Sequence, residues 1–257
     1  MPIITAHSGC ENTPADSMES LRLAADCGAE AAEVDVRADQ VGVLRLSHDR
    51  KETQAEYAGC VPLERALSFA AERSLGLNLD VKEPWVIRDA LALAKRCGIP
   101  RERLWVSGGV TPEQLVRDPA LNASARFYLN IEEIFKYLFF QERGHEALAD
   151  FAGLMTDPWR YTTHWMEDLP ARAEAVKRIW RASGAEGLNI PYWHVDAAAL
   201  SAFADVPLSI WTVDDEAVAR RLLRNPSRNI VNLTTRRVLQ AQSVRRELGP
   251  AALERET

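Results

Sequence analysis

Four short stretches carry residues that could do metal and acid-base chemistry together: His7-Ser8-Gly9, Glu33-Val34-Asp35, His48-Asp49 and Asn78-Leu79-Asp80-Val81-Lys82. Glu33 and Asp35 stand two apart, and Asn78, Asp80 and Lys82 repeat that spacing. On extended backbone such residues point to one side. Carboxylates crowded there repel one another unless a proton or a cation neutralises them. Three oxygen donors from two strands suit one hard divalent ion, Mg²⁺ or Ca²⁺, with its other positions left to water and substrate. His7 and His48 each follow an extended segment. Two imidazoles, one neutral and one protonated near pH 7, can take a proton from a nucleophile and return one to a leaving oxygen, as cleavage of a phosphodiester requires. A lone acid would instead be read as a cap or ion-pair residue, and a lone histidine as structural. His145, His164 and His194 are read that way, because nothing polar converges with them.

The elements that must position these groups alternate along the chain. Ile3 to Ala6 and Ala31 to Val36 read as strands, Val43 to Leu46 as a short extended segment, and Leu75 to Lys82 as the next strand. Further strands are expected at Arg103–Ser107, Ala125–Leu129, Gly187–Ile190, Leu208–Thr212 and Asn229–Leu233, with helical patterns between them. One helix ends at Cys27 before Gly28, one opens at Pro62, and one runs from about Trp85 to Cys97 before Gly98. Eight βα units in 257 residues suit a closed TIM (β/α)8 barrel better than an open sheet. Such a barrel gathers the strand ends, and hence the acids, at one face. Phe151–Met155 is a ninth strand candidate that does not fit, and it is assigned to an insertion at about residues 131–170. That insertion is rich in rings (Phe135, Tyr137, Phe139, Phe140, Trp159, Tyr161, Trp165). The spacing of Phe135, Phe139 and Phe140 favours a buried helix face over a lid or a contact between copies in a homo-oligomer. In the tail from Val238, Leu239, Val244 and Leu248 are expected to pack on the barrel or to fray.

Composition narrows the class. Residues 1–257 show no linker, low-complexity tract or fixed repeat and are expected to be a single barrel domain. A net charge of −6 offers no basic surface to a nucleic acid. No apolar run reaches membrane length, and a first strand at residue 3 leaves no room for a leader, so a cytoplasmic protein is expected. Cys10, Cys27, Cys60 and Cys97 lack metal or redox spacing and read as free thiols, Cys10 as a small buried residue.

With those residues in view the chain resembles the glycerophosphodiester phosphodiesterase family. His7-Ser8-Gly9, Glu11-Asn12-Thr13, Glu33-x-Asp35, His48-Asp49 and Asn78-x-Asp80-x-Lys82 follow its ordered motifs, and Leu188-Asn189-Ile190-Pro191 and Ile210-Trp211-Thr212-Val213-Asp214 resemble its late-barrel ones. The resemblance implies a TIM barrel in which His7 and His48 are acid and base, in an order left open, and Glu33, Asp35 and Asp80 hold the metal. By the same carry-over Ser8, Lys82, Asn189 and Trp211 line the pocket of a small-molecule phosphodiester, cut to an alcohol and a phosphomonoester such as glycerol 3-phosphate. The chain departs from the pattern in several places. Ser8 replaces an arginine, which removes a bidentate phosphate clamp. Asp80 replaces a longer glutamate. Val41-Gly42 replaces Asp-Gly, and Asn232-Leu233-Thr234 replaces a Thr-Asp. The alternative is a barrel that binds a phosphate-containing ligand without efficient turnover. A glycosidase is disfavoured, since its carboxylate pair would leave two histidines unexplained.

Overall fold

The computed structural model describes residues 1–143, 169–225 and 228–252. Among the described residues nine strands appear in chain order: β1 (Ile3–Ala6), β2 (Ala31–Ala38), β3 (Leu44–Leu46), β4 (Gly76–Val81), β5 (Leu104–Gly108), β6 (Arg126–Asn130), β7 (Gly187–Pro191), β8 (Leu208–Trp211) and β9 (Ile230–Thr235). Eight of them are parallel and close into a ring in the order β1, β2, β4, β5, β6, β7, β8, β9, with β9 returning to β1. This is the expected TIM barrel. β3, expected only as an extended segment, is a ninth strand outside the ring, antiparallel to β2 through Val36 opposite Leu46 and Ala38 opposite Leu44.

The strands alternate because their two faces meet different surroundings. One face carries Ile4, Val34, Leu77, Leu79, Val106, Phe127, Leu129, Leu188, Ile190 and Leu233, all buried in the apolar core with the helices. The other face fills the barrel interior with buried polar groups that bond across strands. Thr5 donates to Asn232 Oδ1 at 2.7 Å. Asn232 donates to Ser209 Oγ at 2.9 Å, and Ser107 donates to Asn78 Oδ1 at 3.2 Å. Pairing of this kind removes the cost of burying polar groups.

The helices start and stop where their sequences say. Ser17 caps Met18–Asp26 by accepting from Ser20 N–H, and Gly28 follows it at φ 77°. Gly98, also at φ 77°, ends Ile87–Arg96 in the same way. In the helix Ile131–Arg143, Phe135 and Phe139 are buried, the expected core face. Phe140's side chain, His145, Phe151–Met155, Trp159, Tyr161, His164 and Trp165 lie outside the described residues. Val244 and Leu248 of the last helix, Val238–Ala252, pack on the barrel, whereas Leu239 is 54% exposed. Leu239 instead lends its backbone N–H to Glu11 Oε1 at 3.1 Å. Among the described residues no helix is long and apolar enough to cross a membrane.

The hairpin joining β2 to β3 aims the chain toward His48, and a single carboxylate organises it. Asp39 accepts from the backbone N–H groups of Val41 and Val43, from Arg45 Nε and from Gln54 Nε2, at 2.8 to 3.1 Å. Its burial opposes ionisation, but these donors outweigh it and hold the carboxyl at about 2. A depressed carboxyl stabilises the fold above its ordinary value of 3.8, and that stability is lost as pH falls toward about 2. Asp39→Asn is therefore expected to cost about 1–3 kcal/mol in urea unfolding at pH 7. The difference from the wild type should shrink below the ordinary carboxyl range; a difference independent of pH would mean that packing, not charge, holds the turn.

Candidate active site

The barrel register brings the predicted acids together. In the parallel pairing of β2 and β4, Asp35 stands opposite Asp80 and Glu33 opposite Asn78. Glu33, Asp35 and Asp80 each present an oxygen within 4.8 Å of the other two. Glu33 and Asp35 are buried, and Asp80 is nearly so. Burial, then repulsion from Asp35 and Asp80, raises the Glu33 carboxyl well above its ordinary value, and Asp80 is raised by burial although Lys82 pulls it down. Lys82, placed just past β4, sets its Nζ 2.5 Å from Asp35 Oδ1 and 3.4 Å from Asp80 Oδ2. Burial opposes its charge, but Asp80 and Asp35 outweigh that and hold the ammonium cationic.

Two observations bear on whether a cation fits here. One lysine leaves three converging carboxylates undercompensated, and Asp80 Oδ1 is buried without a hydrogen-bond partner in the protein. A buried acceptor of this kind needs a donor or a metal. The backbone keeps the space around that oxygen clear: a Cβ on Gly108, which sits at φ 84°, would come within 2.0 Å of it. An all-oxygen donor set of this charge fits a hard divalent ion.

His7 leaves β1 with its backbone N–H on Thr235 O at 2.8 Å. Its Nδ1 is 3.0 Å from Ser8 O and 3.7 Å from Glu33 Oε2, so Nδ1 carries a proton toward the carbonyl and Nε2 is left as an acceptor. Burial lowers its proton affinity, and the nearby Arg236 charge lowers it further. His48, past β3, is more open, with its side chain 68% exposed and Nδ1 2.8 Å from Asp49 Oδ1. Arg37 Nε donates to its carbonyl at 2.9 Å. The His48 ring holds the Asp49 carboxyl below its usual range.

Both histidines, the three acids, Lys82, Asn189 and Trp211 line one cavity of about 410 Å³. With its amide oriented to satisfy both ends, Asn189 donates to Ser209 Oγ at 2.9 Å and accepts from Trp211 Nε1 at 3.2 Å. Ser8 is placed otherwise than its sequence position suggests. It is buried, its hydroxyl bonds Asp16 instead of lining the cavity, and its N–H donates to Glu33 Oε2 at 2.9 Å. Its backbone thereby helps to hold Glu33.

Sequence reasoning passed over three neighbours of the site. Asp16 accepts from Asp35 N–H at 3.1 Å, and burial and Asp35 push it up to about 6. Glu132 lines the cavity, accepts from Asn130 Nδ2 at 2.7 Å and is pushed up to about 7 by burial. Arg236, just past β9, also lines the cavity. Asn130, Glu132 and Arg236 sit at the C-terminal ends of barrel strands, the signal that could have found them.

No family model and no curated protein matches this sequence. The fold has solved counterparts. A glycerophosphodiester phosphodiesterase from Agrobacterium tumefaciens matches with a TM-score of 0.62 at 15% identity, over 95% of this chain and 100% of that one. Another, from Thermotoga maritima, matches with a TM-score of 0.63 at 16% identity, over 95% and 99%. A phosphodiesterase from Oleispira antarctica, solved in complex with the product sn-glycerol-3-phosphate, matches with a TM-score of 0.65 at 17% identity, over 95% and 96%. At these identities the likeness is one of fold. Over nearly its whole length the chain adopts the barrel on which these phosphodiesterases are built.

Proposed function

We propose that the chain is a metal-dependent phosphodiesterase of the glycerophosphodiester phosphodiesterase type, hydrolysing a glycerophosphodiester-like substrate to an alcohol and a phosphomonoester such as glycerol 3-phosphate. The observation that carries this reading is the convergence of Glu33, Asp35 and Asp80 with His7 and His48 in one cavity at the strand C-termini. Glu33, Asp35 and Asp80 would hold one divalent ion, Mg²⁺ or Ca²⁺, which when bound polarises the phosphate and lowers the cost of its developing charge.

The chain's own residues divide the proton work. His7 is neutral, with Nδ1–H committed to the Ser8 carbonyl, so its Nε2 takes the proton from the attacking oxygen, whether of water or of a neighbouring substrate hydroxyl. In the second case a cyclic phosphate forms first and water then opens it. His48, beside the Asp49 carboxylate, is the acid that protonates the departing alkoxide. Lys82 sets its ammonium between Asp35 and Asp80 and offsets part of their charge, and Trp211, fixed through Asn189, walls the substrate. A binding barrel without turnover is the second reading, favoured by one observation: the Ser8 hydroxyl is turned to Asp16 and away from the cavity.

Hydrolysis of glycerophosphodiesters and bis(p-nitrophenyl) phosphate by the purified protein, with Mg²⁺ or Ca²⁺ and with chelator, separates the two. Turnover is expected only with the ion, and His7→Ala and Glu33→Ala should each lower it by roughly 10²–10⁴-fold. Equal rates in chelator, or in both variants, would overturn the proposal, and ion binding with no turnover of any diester would favour the second reading. The two histidines can be told apart by leaving group. Nitrophenolate departs without protonation, so His48→Ala should cost far less on bis(p-nitrophenyl) phosphate than on a glycerophosphodiester, while His7→Ala should cost similarly on both. The reverse pattern would exchange their roles.

A further inference from the structure

Three carboxylates are offset by a divalent ion together with Lys82, whose ammonium is already engaged by Asp35 and Asp80. With Glu132 and Glu133 also lining the cavity, the floor holds no surplus of positive charge, and a diester monoanion gains little net Coulomb attraction over it. The position next to His7 offers no cation, because Ser8 is buried and bonded to Asp16. Among the described residues that line the cavity, Lys82 and Arg236 are the permanent cations.

The barrel closure puts Arg236 beside His7. Ala6 is in register with Thr235, and His7 N–H bonds Thr235 O, so the residues that leave β1 and β9 emerge side by side although they are far apart in sequence. The Arg236 backbone is fixed at both ends of its peptide: its N–H donates to Asp214 Oδ1 at 2.7 Å, and its carbonyl accepts from Glu11 N–H at 2.8 Å. The side chain is less committed. NH1 meets Asp214 Oδ2 at 3.4 Å, and the side chain is 49% exposed. That contact is longer than the roughly 2.8 Å of a strong charge-assisted bond and engages one edge of a five-donor fork.

We infer that Arg236 is the anion-binding residue of this site, its guanidinium donating to the non-bridging phosphate oxygens from the β9 rim in place of a cation beside His7. The inference rests on the phosphodiesterase reading for its substrate, but the anion site itself can be tested apart from turnover. Arginine suits the task because its planar fork meets two phosphate oxygens at once. Asp214 acts as the orienting partner that a phosphate displaces or shares. A phosphate held by Arg236 beside His7 would lie above the three carboxylates, within reach of the His7 base.

The test is calorimetric binding of sn-glycerol 3-phosphate and of inorganic phosphate, with uncharged glycerol as the control probe, to protein saturated with Mg²⁺. Arg236→Gln should weaken both phosphates by roughly ten- to a hundred-fold, the size expected for loss of a charge-assisted bond. Arg236→Lys should recover part of that loss. Arg237→Gln, at the exposed neighbour that instead reaches Asn12, should bind as the wild type does. The thermal midpoint and Mg²⁺ affinity of Arg236→Gln should be unchanged, which separates a lost anion contact from a damaged fold. Equal phosphate binding in Arg236→Gln and wild type, or no phosphate binding by the wild type, would overturn the inference. Should phosphate bind through Arg236 while no diester is hydrolysed, the anion site stands and the phosphodiesterase reading falls.

Discussion

Mutual repulsion among three converging carboxylates is the constraint on which the rest of this structure depends. Glu33 and Asp35 share one face of β2, and the register with β4 sets Asp80 directly beside Asp35. Bringing such groups together without compensation is unfavourable at any protein dielectric. The surroundings answer that repulsion in part, with Ser8 N–H on Glu33 and Lys82 between Asp35 and Asp80, while Asp16, bonded to the Asp35 backbone, adds a further acid. What the protein leaves unanswered is Asp80 Oδ1, in a space kept open by a glycine.

The barrel tolerates this concentration of charge because its interior is already polar. Asn78, Ser107, Asn130, Asn189, Ser209 and Asn232 are buried on the same side of the strands as the acids. The apolar energy of the fold comes from the opposite face, where strand and helix side chains meet. Stability and chemistry are thus assigned to different faces of each strand. A substitution at Leu79 would act on folding, whereas one at Asp80, its neighbour in the chain, would act on the site.

Period-two patterning made much of this legible. Glu33-x-Asp35 and Asn78-x-Asp80-x-Lys82 announce their shared face in the sequence, and a parallel barrel leaves little choice about where that face looks. The count of eight strands and the glycine-ended helices followed from equally local signals. Other features depend on contacts no local pattern encodes. Ser8 sits in a loop, and its direction was set by Asp16, itself at φ 52°. Arg236 stands beside His7 only because β9 closes against β1. β3 became a true strand through its pairing with β2, and Leu239 lies off the helix face that Val238, Ala241, Val244 and Leu248 bury.

The central claim is that Glu33, Asp35 and Asp80 form a site for one divalent ion, and titration of Mg²⁺ or Ca²⁺ into chelator-treated protein, followed by calorimetry and thermal unfolding together, tests it most directly. One ion per chain is expected, with a gain in stability of about 2.7 kcal/mol when the ion is at roughly a hundred times its dissociation constant. Asp35→Asn should abolish both. A wild-type protein that takes up no ion and gains no stability, or an Asp35→Asn variant that binds as tightly as the wild type, would contradict the account.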